Sequence, residues 1–196
     1  MRARDGESNL AMQITLGVVC FIAAIGLGGY FFLNNLNNQI FRPTSDPLEI
    51  KKRLDAMVEL SGPLPSGFSL EESTIMDLKG LEMPEVTIKH SDLQLRVGSD
   101  LAPMVGSASA NAREPEQTRD DDLQLPAKMS ARERGEQPVG GHRFVYAVGS
   151  LDGHPCFYGV SRHSGKLFYL LGEQNGGNAV DLPAIKTFLG CIRAFK

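Results

Sequence analysis

The side chains with chemistry to offer gather late in the chain. Three of the four histidines, His142, His154 and His163, fall within one run of alternating residues, and His154-Pro155-Cys156 sets an imidazole close to a thiol. Imidazole and thiolate are the ligands that zinc and copper favour, so His154, Cys156 and His163 are the candidate metal ligands. Their spacing is not that of a structural zinc site, which uses close pairs such as C-x-x-C or H-x-x-x-H. Each histidine also stands beside a turn, where a solvated polar side chain needs no ligand. Neither a metal nor a cofactor is expected.

Nucleophilic chemistry fares no better. Ser161-Arg162-His163-Ser164 brings hydroxyl and imidazole together along the chain, but neighbours on a strand point to opposite faces. Asp120-Asp121-Asp122 lacks the alternating ligands and the glycine of a calcium loop and reads as a solvated acidic turn. The glycine pairs at 140–141 and 176–177 lack the spacing of a phosphate cradle. No catalytic residue is assigned, and no enzyme is expected. Cys156 and Cys191 form a candidate disulfide in an oxidising compartment; the plainer reading is two small buried apolar side chains.

The element that would position all of this lies at the other end. Ile14 to Leu33, ITLGVVCFIAAIGLGGYFFL, carries no charge, and at about 1.5 Å per helical residue it spans roughly 30 Å, the thickness of a bilayer core. It is longer than the apolar core of a cleaved signal peptide. Its exit, Tyr30-Phe31-Phe32-Leu33, offers no small-residue cleavage site, so an uncleaved signal anchor is expected. Arg2 and Arg4 precede it, with only Arg42 close behind. That bias puts the amino terminus in the cytoplasm and the rest outside. Cys20, Ala24 and Gly28 recur every fourth residue and offer a face for a second helix, hence a candidate homodimer.

Residues 34–45 read as a juxtamembrane spacer after the short tail 1–13 and the span 14–33. Asp46 and Pro47 then open a helix whose Ile50, Leu54, Met57 and Val58 share one face, ending near Leu60. Together with Leu64-Pro65 and Gly67-Phe68, this Asp-Pro start resembles small bacterial single-pass membrane proteins of no assigned activity. The resemblance implies a bacterial membrane-anchored protein and no mechanism.

Alternation follows in Val86-Thr87-Ile88 and again in Leu93, Leu95 and Val97, with a phase slip that demands a turn or bulge at His90-Ser91-Asp92. Residues 46–97 thus form a first part of the soluble domain. Residues 98–141 are poor in aromatic and bulky apolar side chains and read as disordered. Residues 142–196 read as a three-stranded meander, turned at Asp152-Gly153 and Ser164-Gly165. A helix capped by Asp181 closes it, with an apolar stripe of Leu182, Ile185, Phe188, Leu189, Ile192 and Phe195.

The expected class is α+β: an N-terminal transmembrane helix, then a helix, antiparallel strands and a C-terminal amphipathic helix, interrupted by the disordered segment. A net charge of -3 gives no basic footprint for nucleic acid. The expected partners are the lipid bilayer and another envelope or membrane protein. The expected place is the bacterial inner membrane, with the C-terminal domain in the periplasm. The function expected is binding, or helping to assemble, an envelope component; the alternative is a metal- or small-ligand-binding module.

Overall fold

The computed structural model describes residues 40–78, 81–101 and 118–196. Arg42–Lys196 belong to one compact unit. The expected α+β balance is corrected: the described chain is mostly antiparallel sheet with two helices. Among the described residues no helix is long and apolar enough to cross a membrane. The stretch 14–33, with Cys20, Ala24 and Gly28, lies outside them.

Strand β1 (Phe41–Thr44) precedes helix α1 (Pro47–Met57) and β2 (Val58–Leu60). A meander of β3 (Phe68–Leu78), β4 (Leu81–His90) and β5 (Leu93–Leu101) follows. Beyond a short 3-10 turn at Asp120–Asp122 run β6 (Met129–Val139), β7 (His142–Leu151), β8 (His154–His163) and β9 (Lys166–Gln174). Helix α2 (Leu182–Gly190) and β10 (Ile192–Phe195) close the chain. Eight strands form one sheet in the order β1-β3-β4-β5-β9-β8-β7-β6, while β10 pairs with β2. The antiparallel β5–β9 pair fuses the two meanders into that sheet.

The local causes are plain. Asp46 Oδ1 accepts the Leu48 N–H at 3.0 Å and Pro47 occupies the first turn, so α1 starts where its orphan donors find a partner. Asp181 does the same for α2 through Ala184 N–H. Asp152 and Gly153, at φ 49° and 89°, supply the two left-handed residues of a tight hairpin between β7 and β8. Gly140 and Gly141, at φ 58° and 81°, turn β6 into β7 in the same way.

Three sequence expectations change here. Helix α1 stops at Met57, and Val58 is already extended at φ -135° and ψ 144°. The stripe after Asp181 is helical only to Gly190; Ile192 and Phe195 face the core from a strand. The segment expected to be disordered contains the end of β5 and the whole of β6, so the second meander has four strands. β6 stayed hidden because it is a sheet edge whose interior side chains are mostly exposed. Charges, Pro138 and a bulge between Ala131 and Glu133 blunt that edge against further pairing.

Both sheet faces are covered in part. One carries α1, α2 and β10 over a core that includes Ile50, Val86, Leu95, Phe157, Phe168 and Phe188. The other carries the segment around Leu123 over Val145, Ala147, Cys156 and Val160.

Candidate functional site

His154, Cys156 and His163 all lie on β8 and do not converge. Residues 154 and 156 share one face of the strand while 163 falls on the other, and nine residues of strand separate His154 from His163 by roughly 30 Å. Among the described residues no group of three His, Cys, Asp or Glu is placed to hold a metal ion. Cys156 and Cys191 are free thiols. Cys156 packs beneath the Leu123 segment, whereas Cys191 caps α2 on the opposite side of the sheet.

Burial and, secondarily, the Glu173 charge push the Cys156 thiol above its ordinary pKa. The reactive thiolate is therefore scarce at neutral pH, and the side chain is shielded as well. In the folded chain, Cys156 is expected to react with a maleimide at least about a hundredfold more slowly than in urea. Cys191 is labelled first. Site-resolved mass spectrometry checks this, and equal labelling rates in the folded chain would refute it.

A group of charged and ring side chains sits where β7 and β8 part. Their ladder ends at Val145 opposite Val160. Beyond it Ser161 Oγ donates to Arg143 O at 3.0 Å, and Thr118 supplies the other acceptors. Thr118 Oγ1 takes the Arg162 N–H at 2.8 Å and Thr118 O takes Arg143 Nη1 at 3.1 Å. Arg162 Nη2 donates to Asp122 Oδ1 at 2.6 Å, with side chains only 8% and 2% exposed. The acidic turn is thus not simply solvated. Asp120 remains at the surface on Arg143, but Asp122 is a buried clamp. Glu136, and after it Asp120, hold the Arg143 guanidinium above its already high ordinary pKa. These arginines are neutralised in place and leave no obvious seat for an anion.

On the helix-bearing face of the same end, the rings of His142 and His163 meet edge to face with centroids 4.5 Å apart. Phe195 packs 6.0 Å from His142. His163 Nδ1 is shielded from solvent and has no hydrogen-bond partner. Sequence reading singled out His163 but grouped it with the wrong neighbours. The pairing follows from strand register, which only the lengths of β7 and β8 reveal.

A second concavity lies elsewhere. A groove of about 470 Å³ runs between α1, β2 and the loop before β3. Leu54, Val58, Leu64 and Leu70 form its floor, and Lys51 and Asp55, ion-paired to each other, stand on its rim. Leu48, 79% exposed, lies one turn ahead of Lys51 on α1. An apolar floor among four charged side chains, Lys51, Asp55, Glu59 and Lys196, suits an apolar side chain of a partner flanked by polar groups.

No known family model and no curated protein matches this chain.

Proposed function

We propose that this chain is a membrane-anchored binding protein. Ile14–Leu33 holds it in a bacterial inner membrane, and its sheet domain engages another envelope component from the periplasmic side. The observation that supports binding is the groove on α1. It is apolar at its base, is open to solvent and is continuous in sequence with the exposed Leu48. A concave apolar floor is where a partner's side chain can seat and lose its water. Support for the membrane setting comes from the uncharged stretch and the arginines before it.

The test uses the full chain in living cells. A photo-crosslinking residue at Lys51 should trap one envelope protein, identified by mass spectrometry. Leu64→Glu on the floor of the groove should abolish the adduct, and the same probe at Lys128 should not form it. An adduct indifferent to Leu64→Glu removes the groove from the reading. A reporter fused after Lys196 that signals from the cytoplasm removes the periplasmic assignment.

A further inference from the structure

Continuing the β7–β8 register beyond Val145 and Val160 puts Arg143 opposite Arg162 and His142 opposite His163. Both histidines share the face of Phe144 and Phe157, and their rings are in contact. Although the ladder has ended there, the two rings still touch, which keeps both imidazoles within reach of one ion.

The ring separation points the same way. With a metal–nitrogen bond of about 2.0–2.1 Å, an imidazole centroid lies roughly 3.2 Å from the metal. Two such rings at a cis angle of about 90° have centroids about 4.5 Å apart, against about 5.2 Å at a tetrahedral angle. The observed separation of 4.5 Å is also an ordinary ring-packing distance, so it places the two imidazoles within reach of one ion without selecting an angle. The orphaned Nδ1 of His163 adds an independent reason to look here, since a shielded ring nitrogen with no partner is costly to leave unmatched. His90 has an orphaned Nδ1 as well, but its ring packs at a tilt against Phe68 and meets no second imidazole among the described residues.

We propose that His142 and His163 form a cross-strand bis-imidazole site for a divalent transition metal, copper(II) foremost by the general order of affinity for imidazole. Among the described residues no third protein ligand joins them, so water fills the remaining positions. Half-buried at the sheet end beside Phe195, the pair exchanges its metal with solvent. The site goes beyond the binding groove and does not depend on it.

The full chain, without a polyhistidine tag, is reconstituted in lipid nanodiscs and given one equivalent of copper(II). Pulsed electron paramagnetic resonance should show two equatorial imidazoles in the native chain. His142→Gln and His163→Gln should each reduce this to one and weaken binding at least about tenfold. His154→Gln should change neither. Affinity should fall in the order copper(II), nickel(II), zinc(II), with about tenfold or more between copper and zinc. A native spectrum with one imidazole or none overturns the site, and so does undiminished copper affinity in both glutamine variants. The native spectrum decides the matter alone if a variant fails to fold.

Discussion

Asp122→Ala should lower the unfolding free energy by about 3–5 kcal/mol, because it leaves the Arg162 guanidinium buried without its counter-charge. Both side chains are almost wholly removed from water, and Asp122 Oδ2 also accepts the Arg119 N–H at 2.9 Å. The loss is therefore not that of a surface ion pair, which is worth about 0–1 kcal/mol. The size of the effect comes from the stranded charge rather than from the intrinsic worth of the pair. Replacing both partners together, as in Asp122→Leu with Arg162→Met, should for that reason recover much of the loss. Urea titration of the full chain in mild detergent, followed by far-UV circular dichroism, reads both variants. A loss below about 1 kcal/mol for Asp122→Ala would mean that the pair is solvated after all. The same substitution frees the segment that covers Cys156, so maleimide labelling of Cys156 should accelerate while that of Cys191 stays constant. The clamp thus links a salt bridge to the second apolar cluster.

The strands that could be read from sequence were those with one face in the core and strong turns at their ends. Asp152-Gly153 and Ser164-Gly165 are turn signals flanked by apolar runs, and Leu93, Leu95 and Val97 alternate because one set faces the helix-bearing core. The phase slip after Ile88 is the β4–β5 turn, with His90 opposite Leu93. β6 broke the rule because an edge strand is stabilised by one neighbour's backbone and needs no apolar alternation. β10 misled in a more specific way. A register shift between Ile192 and Ala194 turns both Ile192 and Phe195 toward the core. The resulting spacing of three imitates a continuing helix. Of the candidate sites, His163 was visible as a residue type but its partner was not. A sequence carries the kinds of ligand along a strand; register decides which of them face one another. The groove was invisible, since Leu64 and Leu70 belong to a loop and a strand that only the fold brings against α1.

Register also sets the second large effect. Gly149 lies on β7 opposite Ala131, next to the bulge of β6. A Cβ at this position would overlap the Ser130 carbonyl oxygen and come within 2.9 Å of Ala131 Cα. Both are main-chain atoms, so no rotamer change relieves the clash and β6 itself must shift. At Gly98 the atoms met are instead those of the Tyr169 ring, a side chain rather than main chain. Even there something is lost, since Tyr169 Oη donates to Glu85 at 2.6 Å. Gly149→Ala should therefore cost about 3 kcal/mol, toward the top of the range for overpacking, and Gly98→Ala about half of that. The damage should be local. Amide hydrogen exchange should quicken along Met129–Val139 while β4 and β5 keep their protection, because β6 is held by β7 alone among the strands of its sheet. Should Gly149→Ala unfold within about 0.5 kcal/mol of the native chain, the bulge has room that the register denies it, and the close approach of β6 to β7 at Ala131 is wrong.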